Sequence, residues 1–224
     1  MTAKTITSAK TKAHPFFPGS RRPAWEVAFL FPPQGDWTAR DYLSLEKLRG
    51  DSIRVELSRG RLEVLPMPTE AHQFIIGFVY LVLGAFTQAH APGKVSFSGL
   101  RLRLKRKGKR ALFREPDILY LKAANFHLRH NKFWDGADLV MEVVSGNPTD
   151  RDRDYVQKLI DYAEAGIAEY WIIDPDEKLI RVLTLDGKSY RVHGDFRTGM
   201  AATSVLLHGF SMLVDDVLAA GEGK

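Results

Sequence analysis

The pattern of apolar and polar positions first becomes regular at Asp36. Thr38 can cap a short helix from Ala39 to Leu48, with Asp41 in its first turn. From Ile53 to Pro66 apolar and polar residues alternate around Arg59-Gly60, which predicts a β-hairpin. His72 to His90 reads as a largely buried helix. Gly77 and Gly84 lie seven apart on one face of it, so a close approach to a sheet is expected there. Residues 94–121 read as two strands joined through Lys107-Gly108-Lys109, and residues 137–145 as a third strand. Residues 152–166 predict a helix stopped by Gly166. A fourth strand ends at Pro175, and a last hairpin turns at Asp186-Gly187. The core order is helix, three strands, helix, strand, with added hairpins. That is a mixed α/β (α+β) class, not a doubly wound alternation.

At 224 residues, with 45% hydrophobic positions, the chain is long enough for a sizeable core. It has no cysteine, which excludes disulfide scaffolds, thiol catalysis and cysteine-ligated metals. The longest apolar stretch, Phe74 to Phe86, has 13 residues. A bilayer span needs about 20, so no membrane partner is expected. The net charge of +5 divides unevenly. Lys4, Lys10, Lys12, Arg21 and Arg22 supply all of it before the first acid, Glu26. Residues 1–23 are expected to be a disordered basic arm without a secretory signal, and residues 24–224 a single cytoplasmic domain.

Two acids are conspicuous by position. Asp117 opens the apolar strand from Ile118 to Leu121. Glu142 lies inside Leu139 to Val144 and, at a period of two, shares a face with Val140 and Val144. An ionised carboxylate in an apolar strand is costly unless paired or metal-bound. Two readings stay open: a reactive site, or a buried ion pair with a lysine or arginine. Lys158 favours the first. It lies on the helix after Glu142, where Leu159, Ile160 and Ala163 take the apolar positions. The neighbouring acids Asp150, Asp152 and Asp154 most simply cap and solvate the first turn; the alternative is a metal-binding role, though the run lacks the glycine-centred spacing of a calcium loop.

Two carboxylates at neighbouring strand ends, with a lysine, suit phosphodiester hydrolysis. Oxygen ligands select a hard cation such as magnesium or manganese. The metal polarises the phosphoryl oxygen and acidifies a bound water. The lysine orients that water or stabilises charge on the phosphate.

Pro116-Asp117, the segment Glu142 to Ser145, and Lys158, Tyr162, Gly166, Glu169-Tyr170-Trp171 and Asp174-Pro175 occur in a specific order and spacing. In this the chain resembles, over residues 36–215, the Uma-type restriction endonucleases of the PD-(D/E)XK nuclease superfamily. The resemblance implies a restriction-endonuclease-like core and a magnesium-dependent DNA endonuclease leaving 5′-phosphate and 3′-hydroxyl ends. It matches Asp117 and Glu142 to the metal-binding acids. Where the superfamily pattern has a lysine, this chain has Val144, and Lys158 would substitute, with Gln157 a weaker candidate. Glu56 and His72 also match family positions. Glu56 could approach the metal, or pair with Arg54 or Arg61 on its hairpin. His72 could touch phosphate or metal, or cap its helix.

A basic cluster leads into Asp117: Arg101, Arg103, Lys105, Arg106, Lys107, Lys109, Arg110 and Arg114, with no acid before Glu115. Leu100, Leu102 and Leu104 alternate inward, so Arg101 and Arg103 are expected to point outward. The turn suits phosphate-backbone contact with DNA, or is a solubilising tip. Two strand breaks need two sites, which a homodimer would supply. Phosphate-binding loops and serine-hydrolase elbows are absent from the sequence, so no nucleotide cofactor is expected. Rival readings are a nuclease-fold module that binds DNA without cutting it, and a protein-interaction domain.

Overall fold

The computed structural model describes residues 31–45, 54–105, 110–146 and 148–223. The expected arm at residues 1–23 and the turn at Lys107-Gly108-Lys109 lie outside the described residues.

Helix α1 (Ala39–Ser44) is capped as its sequence predicts, with Thr38 and Asp41 bonding each other's backbone. Strands β1 (Val55–Ser58) and β2 (Arg61–Val64) form the first hairpin. Its turn places both Arg59 and Gly60 at positive φ, 51° and 78°. A Cβ at Gly60 would also lie 2.2 Å from the Gly35 carbonyl oxygen, so only glycine fits.

Helix α2 (Glu70–His90) follows. By length and composition it could cross a bilayer, yet here its inner face, Ile75, Ile76, Val79 and Leu83, packs on a sheet. Phe74 and Leu81 are exposed, so the helix is buried on one side only. Gly77 and Gly84 lie off that inner face, and a Cβ at either would meet open space. They do not mediate a close approach to the sheet, contrary to the sequence expectation. Their spacing put them on one face without saying which.

Residues 93–122 form four strands, not two. These are β3 (Gly93–Phe97), β4 (Arg101–Leu104), β5 (Leu112–Arg114) and β6 (Ile118–Lys122). Strands β3 and β6 pair with each other, while β4 and β5 pair in a different sheet. The apolar runs did not reveal this because β4, β5 and β6 are largely buried on both faces. Strand β7 (Phe133–Trp134) completes a five-stranded sheet in the order β2-β1-β5-β4-β7. A six-stranded sheet runs β11-β10-β9-β8-β6-β3, with β8 (Leu139–Val143), β9 (Glu169–Asp174), β10 (Leu179–Asp186) and β11 (Ser189–Arg197). Both sheets are mixed: β4 and β7 are parallel in one, β8 and β9 in the other. The short pair β12 (Ala201–Thr203) and β13 (Ser211–Leu213) precedes helix α5 (Val214–Gly221).

The parallel β8–β9 pair requires a crossover connection. It consists of α3 (Pro148–Asp152), a π-turn at Arg153–Gln157 and α4 (Lys158–Ala165), closed by Gly166 at φ 80°. Alternate residues of the large sheet serve two cores. Ile118, Met141, Val143 and Trp171 meet α2 and α5 on one face. Leu119, Val140, Val144 and Tyr170 meet Tyr162 on the other. Asp117 and Glu142 have the parity of this second face.

Arg114 ties the small sheet to α4. It is fully buried, and Nη1 lies 2.7 Å from Glu56 Oε2 and 2.8 Å from Glu63 Oε2. Nη2 donates to Asp161 Oδ2 at 2.7 Å. Replacing Arg114 with Met would leave these acids without their shared cation. We expect a loss of about 3–5 kcal/mol, visible as a lower urea midpoint. An unchanged midpoint would mean the junction does not depend on this charge.

Candidate active site

Asp117 sits just before β6, and Glu142 lies in the antiparallel neighbour β8, where Ile118 faces Met141. Both are buried. Lys158 opens α4 and reaches back over the sheet. Its Nζ lies 2.9 Å from Glu142 Oε2 and 2.9 Å from Asp154 Oδ1. The Tyr162 hydroxyl donates to Glu142 Oε1 at 2.5 Å. The Val143 amide donates to Asp117 Oδ2 at 2.9 Å. His72 Nε2 lies 3.1 Å from the Val143 carbonyl and 3.2 Å from the same Asp117 oxygen. Two acceptors on one ring nitrogen place a proton on Nε2.

All of these except Tyr162 border one small cavity of about 30 Å³, lined by Asp117, Glu142, Asp154, Lys158, His72 and Arg153 among others. That volume admits a water or a small ion. Burial pushes the Glu142 carboxyl up to about 7; Lys158 opposes this, while Asp117 and Asp154 add to it. Burial also raises Asp154. Burial acts to raise Asp117 too, but the His72 hydrogen bond and charge outweigh it and leave the carboxyl below its usual range. Burial would lower Lys158, yet Asp154 and Glu142 hold it well above an ordinary lysine. It therefore stays charged.

The carboxylates suit a hard divalent cation by donor type, with four acids lining the cavity against Arg54, Arg153 and Lys158. Among the described residues, no trio of acids and histidines already surrounds an ion position. The fit is one of chemistry and charge, with side chains still paired to protein partners.

Other expectations are redistributed. Glu56 is fully buried, but it faces Arg114 and the Glu115 amide, not the cavity, and not Arg54 or Arg61. His72 does not cap its helix; Thr69 does, and the His72 ring instead buttresses Asp117. Gln157 turns away to Asp152. Ile160 is exposed, and the inner face of this helix carries Asp154, Lys158, Asp161 and Tyr162. Asp150 and Asp154 are buried, not solvating the first turn as the sequence suggested. Asp154 and Tyr162 were therefore missed as site residues. The signal lay in their spacing from Lys158, four residues either way, once that face is known to point inward.

The basic cluster is the largest correction. Arg101 does not point outward; it is buried, 3.7 Å from Glu115 and over the Tyr42 ring. Arg103 forms a two-pronged pair with Asp135, which Lys105 joins at 2.8 Å. Arg110 donates to the Gly35 carbonyl. Arg106, Lys107 and Lys109 lie outside the described residues. The alternation with leucines misled because β4 is covered on both faces. Two other arginines line the cavity. Arg54 and Arg153 each have a buried Nε without a hydrogen-bond partner.

A family model described as "Putative restriction endonuclease", Uma2, matches residues 39–215. The chain belongs to this family. No curated protein matches it. A solved structure, titled a putative nuclease belonging to DUF820 from Anabaena variabilis, is similar over 82% of this chain and 98% of that one. Its TM-score is 0.63 at 18% identity, a likeness of fold.

Lys158→Met would leave Glu142 and Asp154 buried without their ammonium. Unfolding free energy should fall by about 3–5 kcal/mol in urea titrations at pH 8. Adding Glu142→Gln should restore some of that loss, because the groups are coupled. Strictly additive losses would show that the two groups are not energetically paired.

Proposed function

We propose that this Uma2-family chain is a metal-dependent endonuclease with a restriction-endonuclease-like core, acting on DNA phosphodiester bonds. The observation that carries the reading is the meeting of Asp117, Glu142 and Lys158 at one small polar cavity. Within the large sheet, the order of α2, then β3, β6 and β8, then α3–α4 and β9 supports this reading.

Asp117 and Glu142 would hold magnesium or manganese, with Asp154 alongside. A bound divalent cation would supply Lewis acidity toward the scissile phosphate. Tyr162 and His72 fix the orientation of the two carboxylates. Lys158 remains protonated, so it cannot take a proton from water. Its role is to stabilise negative charge growing on the phosphate oxygens. Water oxygen attacks phosphorus as the bond to the 3′ oxygen breaks; the water gives up a proton to solvent and the departing 3′ oxygen takes one from solvent, leaving 5′-phosphate and 3′-hydroxyl ends. Arg54 and Arg153 suit phosphate contact better than Arg101 and Arg103 because they line the cavity, although Arg54 also lies 3.7 Å from Glu115 and Arg153 pairs with Asp150 at 2.6 Å.

A second reading is a DNA-binding module of the same fold that does not cut. It draws on one observation: both Glu142 oxygens are already engaged, by Tyr162 and Lys158.

Purified protein should nick plasmid DNA with magnesium or manganese, and chelation should stop it. Asp117→Ala, Glu142→Ala and Lys158→Ala should each lower the rate by about 100-fold or more, with DNA binding retained. Cleavage that survives these changes would sink the site. Binding without cleavage by the native chain would favour the second reading. In binding titrations against salt, Arg54→Ala and Arg153→Ala should each flatten the logarithmic slope by about 0.9. Arg103→Ala should leave the slope unchanged; the reverse pattern would return DNA contact to the β4 strand.

A further inference from the structure

A much larger cavity, about 680 Å³, adjoins the acidic one. The two share His72, Val143 and Ser145 in their walls. The large cavity lies between the start of α2, the ends of β8 and β9, and α5. Its apolar lining includes Ile75, Val144, Pro175 and Leu218. Its polar lining holds the acids Asp176, Asp215 and Glu222 against a single lysine, Lys178.

This chemistry selects a ligand. The excess of acids disfavours a phosphate inside. Apolar walls with hydrogen-bonding groups at their edges favour a flat, uncharged, heteroaromatic group bearing amino donors. The volume falls within the range of small-molecule sites, about 300–1,000 Å³. It suits one nucleoside.

We propose that the large cavity binds one unpaired nucleobase adjacent to the scissile phosphate, so that the substrate is single-stranded DNA or duplex with an extruded nucleotide. This rests on the endonuclease reading above and specifies its substrate. The backbone would place its phosphate at the mouth of the small cavity, beside Arg54 and Arg153, and its base against Ile75 and Leu218. Extrusion carries an unstacking cost, least for unpaired or mismatched positions. Unpaired DNA should therefore be cut faster than intact duplex.

Ala219 is exposed on α5 and lines this cavity, so a tryptophan there would fill it without entering the core. Single-stranded oligonucleotides carrying one abasic site, moved stepwise past the cleavage position, test the proposal. In the native chain, one abasic position should lower kcat/KM by about ten-fold. Ala219→Trp should lower kcat/KM by a similar factor on intact strands, and the same abasic position should then have no further effect. Equal cleavage at every abasic position in the native chain would overturn the proposal, as would equal rates on intact duplex and single strands.

If the native chain cuts nothing, the endonuclease reading fails, and binding still decides the cavity. Oligonucleotides containing 2-aminopurine should show a fluorescence change on binding the native chain that Ala219→Trp abolishes. A change identical in both proteins, or none in either, would overturn it.

Discussion

One ammonium group governs the centre of this molecule. Lys158 places its charge between Glu142 and Asp154, and all three are buried. Burying an ionised carboxylate without a partner costs several kcal/mol. Strand β8 can therefore carry Glu142 inside its apolar run only because α4 returns a cation to it. The parallel β8–β9 pair makes that return geometrically necessary, since its crossover passes over the same face. The π-turn at Arg153–Gln157 lies in this crossover, at the step that carries Asp154 toward Lys158. Such turns are common at functional sites.

The same reasoning explains Val144. It packs with Tyr162, Tyr170 and Ile172 in the second core. A lysine at that position would have to place its charge in an apolar cluster. Supplying the ammonium from the helix keeps the core apolar and still charges the cavity. Arg114 has a similar role in the adjoining layer, where Glu56, Glu63 and Asp161 converge on it. Two cations, each shared among several acids, thus join the hairpin sheet, the crossover helix and the large sheet.

The small cavity and the large one belong to one sheet end. His72 stands between them, bonding Asp117 on one side and bordering the apolar space on the other. The charges concentrate in the smaller space, whereas the larger is mainly apolar with an acidic edge. A phosphodiester with an attached base has that same division of polarity.

Much of this was legible in the sequence because it depends on local chemistry. Alternation marked the β1–β2 and β10–β11 hairpins, and Gly166 marked the end of α4. The cost of a carboxylate in an apolar strand singled out Glu142, and Lys158 followed from its position on the next helix. Other features depend on what covers a residue, and a single chain pattern cannot encode that. Whether Gly77 faced sheet or solvent, and whether Arg101 faced solvent or Glu115, was settled by the packing of distant segments. The sequence by itself determined which residues must find partners, since burying charge is costly wherever it occurs. Only the tertiary structure decided which partner each one found, because ion pairs form across space between segments that the chain order keeps far apart.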